Sequence, residues 1–266
     1  MRDQENSANQ FFLRGQKGFE DGNYQTCIKD LIHAQEIFSS IGMKEQSAQA
    51  LLLTAQAYHN IDHLTQSRQF YSLALSRFRE LNDTPKIGEC AMVLGITYRE
   101  EGDFKKSKQY LAEAIEIFTT LNDYEKLADS WRGLALTYQI DLTQYSEHPV
   151  HSINAYRKAI LLFKKIKNFE KKAETEHDLG HILISQSKYH EALEVFQDAL
   201  NYYKKQNYKE QIIPVSILIG RIYFELGKKP KAKDYMNKAI EEMKRYDYSQ
   251  EKINMLKQSI IAMFSS

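Results

Sequence analysis

The chain has 266 residues, of which 42% are hydrophobic and 27% charged, with only 11 glycines and 4 prolines. So few turn-forming residues leave little room for β-hairpins and favour an all-helical chain, long enough for one extended domain or two small ones. The 36 basic and 35 acidic residues nearly cancel, which excludes the concentrated basic surface of a dedicated nucleic-acid binder.

From the N-terminus, the polar opening MRDQENSANQ lacks the apolar core of a signal peptide. No run of about eighteen apolar residues follows anywhere, so no membrane span is expected and the chain reads as cytoplasmic. A repeating phrase then begins. In the first unit, residues 8–47, a small residue at Gly15 precedes an alanine that closes the phrase at Ala34. The second unit, 48–87, has Ala55, Tyr58 and Ala74; the third, 88–127, has Gly95, Tyr98 and Ala114. The fourth, 128–172, carries Trp131-x-x-Leu134-Ala135-x-x-Tyr138 and Ala159, with five extra residues in the segment 140–149. The fifth, 173–212, has Gly180, Leu183 and Ala199, and the sixth, 213–247, has Gly220, Tyr223 and Ala239. The closing alanines are spaced by 40, 40, 45, 40 and 40 residues.

Each unit reads as two amphipathic helices joined by a short turn such as Glu101-Gly102-Asp103 or Leu226-Gly227-Lys228. The small residue lets the two helices approach, and the tyrosine three places later fills the space beside them. Neither helix buries its apolar stripe alone, so neighbouring units must stack. The last segment, 248–264, carries Ile253, Leu256, Ile260, Ile261 and Phe264 at helical spacing and is expected to cap the array. Residues 1–266 are therefore expected to form a single domain. Cys27 and Cys90 fall within apolar patterns and read as buried free thiols. The basic run from Lys164 to Lys172 reads as a solvated helix end.

The pattern resembles the tetratricopeptide repeat (TPR), with Trp131 to Tyr138 and Ala232-x-x-x-Met236-x-x-Ala239 as its closest echoes. That repeat usually spans 34 residues, and here each unit is longer. The resemblance implies an all-α, right-handed superhelical TPR solenoid of six helix-turn-helix repeats plus a C-terminal capping helix. Phe11 to Gly15, Ser185 to Tyr189 and Ile222 to Tyr235 further resemble the repeat domain of Rap-type peptide-regulated proteins of Gram-positive bacteria. This implies a bacterial regulator whose concave groove holds a signalling peptide. That family's N-terminal effector element is not expected, because the first repeat is placed near residue 8.

In such a solenoid the first helix of each unit lines the groove. Counted from the register, Gln56, His59, Asn60, Arg99, Arg132, Gln139, His177, His181, Arg221 and Phe224 are candidate peptide-binding residues. They give a mixed lining suited to an extended backbone whose amides need partners, and the arginines are suited to carboxylates. His177 and His181 share a helix face at the spacing of zinc-protease ligands. Asp178 stands where those enzymes need Glu, however, and Gly180 already fits the repeat, so the pair reads as groove lining, with a metal site as the alternative. No cofactor and no catalytic group is expected, and the partner is a peptide or protein segment. An alternative is a scaffold that dimerises through an exposed N-terminal helix bearing Phe11, Phe12, Leu13 and Phe19. The lengthened turn at 140–149 is a further possible contact point.

Overall fold

The computed structural model describes residues 2–141 and 148–265, and the expanded turn of the fourth repeat lies largely outside them. Among the described residues all regular structure is helical, in thirteen helices. The first four are α1 (Arg2–Glu20), α2 (Tyr24–Ser40), α3 (Lys44–Asn60) and α4 (Leu64–Leu81). Next come α5 (Thr84–Glu100), α6 (Phe104–Leu121), α7 (Tyr124–Ile140) and α8 (His148–Lys165). The chain ends with α9 (Phe169–Ser185), α10 (Tyr189–Gln206), α11 (Lys209–Glu225), α12 (Lys229–Arg245) and α13 (Gln250–Ser265). The chain divides into two compact units, Met1–Thr137 and Tyr138–Ser266, each taken by itself below.

The pairs α1–α2, α3–α4, α5–α6, α7–α8, α9–α10 and α11–α12 are the six repeats, and α13 is the expected terminal helix. Their starts at Lys44, Thr84, Tyr124, Phe169 and Lys209 precede the sequence-drawn boundaries at 48, 88, 128, 173 and 213. The first helix likewise begins at Arg2, ahead of residue 8. The small-residue and tyrosine register marks the middle of each first helix, whereas its start is set by turn chemistry. Asp83, Asp103 and Asn168 precede α5, α6 and α9 and accept the backbone N–H of Lys86, Lys106 and Lys171, each at 3.1 Å. At helix ends, Asn82, Asn122 and Asn207 adopt the left-handed conformation with φ of 55°, 55° and 58°. Gly102 and Gly227 hold the same conformation inside their repeats, at φ of 82° and 71°. Asp62 and Ser187 occupy that turn position in two other repeats, so glycine alone does not mark it.

Inside each unit the stacked pairs form a helical-repeat solenoid. Every closing alanine (Ala34, Ala74, Ala114, Ala159, Ala199 and Ala239) is fully buried. Four residues on, the second helix buries Phe38, Phe78, Phe118, Phe163, Tyr203 and Met243. The small residue of the first helix faces a large one of the second: Gly15 meets Leu31, Gly95 meets Leu111, Gly180 meets Phe196 and Gly220 meets Met236. The repeated tyrosines meet rings of the following helix: Tyr58 stacks on Phe70 at 5.4 Å and Tyr98 on Tyr110 at 5.5 Å in the first unit, and Tyr223 lies tilted against Tyr235 at 5.4 Å in the second. Cys27 and Cys90 are buried and free. Among the described residues no helix is long and apolar enough to cross a membrane.

The apolar residues of α1 are mostly committed to packing. Phe12 meets Phe38 edge-on at 5.9 Å, Phe19 meets Tyr24 at 5.5 Å, and Phe11 lies 5.5 Å from His33. Of the four residues expected to make that helix an exposed apolar surface, Leu13, at 63% exposure, is the one left in solvent. The sequence showed their number, but their direction depends on α2.

Candidate functional site

The first helices carry the candidate peptide-binding residues. In the first unit, α3 presents Gln56 half-buried and His59 and Asn60 exposed. The Asn60 amide turns back to donate to the Gln56 carbonyl at 3.0 Å. On α5, the Arg99 side chain is only 14% exposed and lies 3.5 Å from the Glu100 carboxylate. Arg132 on α7 is half-buried. Nearer the start of α5, Glu89 receives Lys86 at 2.7 Å and Lys126 of α7 at 2.9 Å. Burial alone would raise the Glu89 carboxyl, but those two ammonium groups outweigh it and hold it below the usual carboxylate range.

In the second unit, Gln139 accepts a 2.5 Å hydrogen bond from the hydroxyl of Tyr156, a fully buried ring of α8. That contact fixes Gln139 as part of the packing. On α9, His177 and His181 have their Nε2 atoms 3.3 Å apart, a contact that requires one N–H and one lone pair. Both imidazoles also stand edge-on to the buried ring of Phe196, at 5.7 and 5.6 Å. The resulting cluster joins an aromatic floor to two hydrogen-bonding rims, with His177 half-buried and His181 exposed. Among the described residues no group of three or more His, Cys, Asp or Glu is placed to hold a metal.

Arg221 on α11 is exposed. Phe224, one turn further, meets Phe264 of α13 edge-on at 5.2 Å, and Lys229 lies 5.4 Å from its ring centre. The terminal helix thus lies against a residue assigned by register to the binding face. Ile253, Leu256 and Ile260 of α13 extend this cover over Ile213, Ile217, Ile240 and Met243. The candidates therefore fall into one packed cluster on α9, one pair claimed by neighbours (Gln139 and Phe224), and single positions along α3, α5, α7 and α11. Phe196 and Phe264 were missed from the sequence. Phe196 was findable, since it lies at the second-helix position that faces the small residue of its repeat.

Two tetratricopeptide-repeat family models match the chain, one over residues 89–126 and one over 171–244. Compared by sequence with curated proteins, the chain has no match. Among solved structures it is similar to the apo form of RapI, at 17% identity and a TM-score of 0.64, covering 92% of this chain and 85% of that one. It is also similar to a Rap protein complexed with competence and sporulation factor, at 15% identity and a TM-score of 0.60, covering 96% and 74%. A signal-transduction ATPase with numerous domains and a tetratricopeptide repeat sensor, from Pyrococcus horikoshii, matches at 16% identity and a TM-score of 0.79. There the likeness covers 97% of this chain but 39% of the other. At these identities the likeness shows the fold. Tetratricopeptide-repeat models thus match part of each of the two compact units, and helix pairs recur in one register along the described residues.

Proposed function

We propose that the chain is a receptor or adaptor that holds an extended peptide or protein segment against the first-helix faces of its repeats, and that it acts by binding rather than catalysis. The observation that carries this reading is the cluster of His177, His181 and Phe196. It sets a coupled pair of imidazoles, with His181 exposed, on the first-helix face and braces them on the buried Phe196 ring, a held polar surface of the kind an extended segment can engage. Exposed Arg221 on the next first helix adds a cation suited to a carboxylate of the same ligand. The similar Rap structure holds competence and sporulation factor, which supports a signalling ligand for this chain too. A cytoplasmic setting is supported by the two free thiols.

A peptide array followed by fluorescence anisotropy on the best-binding peptide tests the reading. Replacing both His177 and His181 with alanine should weaken that peptide by roughly tenfold or more, while Lys205→Ala on the exposed surface of α10 should leave it unchanged. Equal affinity for all three proteins would place the ligand elsewhere and end the proposal.

A further inference from the structure

A cavity of about 310 Å³ opens in the second unit between α8, α9 and α10. Its walls include Ile160, Leu179, Leu183 and Val195, and its rim carries Arg157, which pairs with Glu191 across the two second helices. Two departures from the repeat pattern meet here. Four residues before the small residue, the other repeats have Phe11, Leu51, Ala91, Trp131 and Ser216, whereas this one has Glu176. Two residues after the closing alanine, the other repeats, the Glu176 repeat included, have Glu36, Ser76, Glu116, Asn201 and Glu241, whereas the preceding, fourth repeat has Leu161. The exchange puts a carboxylate inside at 4% exposure and a leucine outside at 66%, both lining one cavity.

Lys172 engages one oxygen of Glu176, but Oε2 is buried and receives no hydrogen bond among the described residues. A buried carboxylate oxygen left without a donor costs free energy that a bound donor would recover. The surroundings favour a cation. Arg157, Lys172 and Lys164 are outnumbered by the carboxylates of Glu176, Glu191, Glu194 and Asp198, the last 3.9 Å from the Lys172 ammonium. Because one Glu176 oxygen is taken, a forked guanidinium would find only half its partner, while a point-like ammonium needs only the free oxygen. The apolar walls suit a straight hydrocarbon stem.

We propose that this cavity, between the second helices α8 and α10 and the first helix α9, receives a lysine side chain of a partner protein, with its stem against Ile160, Leu179, Leu183 and Val195 and its ammonium donating to Glu176 Oε2. The site uses none of His177, His181 and Phe196 and does not rest on the reading above.

The test is a titration of the isotope-labelled full chain, followed by amide chemical shifts, with N-acetyl-lysine methylamide and with N-acetyl-norleucine methylamide, which keeps the stem but lacks the ammonium. The lysine probe should give saturable shifts centred on α8, α9 and α10, and the norleucine probe should bind roughly tenfold more weakly. Glu176→Gln should erase that preference, and Val195→Trp, which fills the cavity, should abolish both responses. A norleucine probe that binds equally well, a lysine preference that survives Glu176→Gln, or no saturable shift with the unaltered chain would each overturn the proposal.

Discussion

Gly95 and Leu111 touch so closely that a β-carbon on the glycine would lie 2.6 Å from Leu111 Cγ and 3.1 Å from the Leu111 backbone nitrogen. Leu111 is fully buried and cannot swing away. Gly95→Ala should therefore destabilise the protein by about 1–2 kcal/mol, because overpacking outweighs the gain in helix propensity of about 1 kcal/mol. Urea unfolding would measure it. Since the shortest contact is with the Leu111 side chain, Gly95→Ala combined with Leu111→Ala should cost less than the sum of the single changes. Strict additivity would show that the two helices do not meet through this pair.

The terminal helix closes the apolar end of α11 and α12. Ile253 is 3% exposed and packs with Ile213, Ile240 and Met243. Ile253→Ala should cost about 2–4 kcal/mol. Exposed Met255 on the same helix, at 63% exposure, should tolerate alanine within about 0.5 kcal/mol. Thermal melts of the two variants provide the comparison, and equal midpoints would mean that α13 does not dock.

Burial pushes the thiol of Cys27 up to about 11 and that of Cys90 up to about 12. Thiolate is the reactive form, so native protein at neutral pH should resist an aromatic disulfide reagent while both thiols react fully in strong denaturant. Rapid labelling of Cys90 in the folded protein would contradict its burial.

Acid should act on the first unit through identifiable groups. The Lys106 N–H and ammonium hold Asp103 below the usual carboxylate range, and Lys126 does the same for Asp123 against the opposing effect of burial. With Glu89 also lowered, these groups bind protons more readily when unfolded. Their stabilisation is complete above the ordinary carboxylate values near about 4 and disappears as pH falls through the lower folded values. Glu176 runs the other way. Burial raises it despite Lys172, so its contribution is complete below the ordinary glutamate value and is lost as pH rises through its folded value. Urea midpoints measured from about pH 3 to pH 7 should show a shallower acid limb for Glu89→Gln. The Glu176→Gln protein should be least disadvantaged at neutral pH. Asp103→Ala should cost about 1 kcal/mol at neutral pH through the lost cap, and an unchanged acid limb for Glu89→Gln would refute the assignment to Glu89.

The repeat register was legible because it is local. A small residue at Gly95 or Gly180, a large one sixteen places later and an alanine three beyond that restate one helix-pair contact. Packing of adjacent helices depends on just those positions. The turns were less legible, since Asp62, Lys167 and Ser187 adopt the left-handed conformation that glycine advertises elsewhere. Helix starts were misplaced for a related reason: an N-cap such as Asp83 or Asn168 is one residue, while the apolar register is a pattern.

The sequence by itself determined the helix pairs, their order and the faces they bury, because side-chain period and residue size act between neighbours along the chain. Only the tertiary structure decided which first-helix residues stay available. Phe264 reaches Phe224 from forty residues away, Tyr156 claims Gln139, and α10 places Phe196 beneath both histidines of α9. The burial of Glu176 beside the exposed Leu161 was decided in the same way. Three helices set the surroundings of these two residues, and no periodicity within one helix records what the others bring.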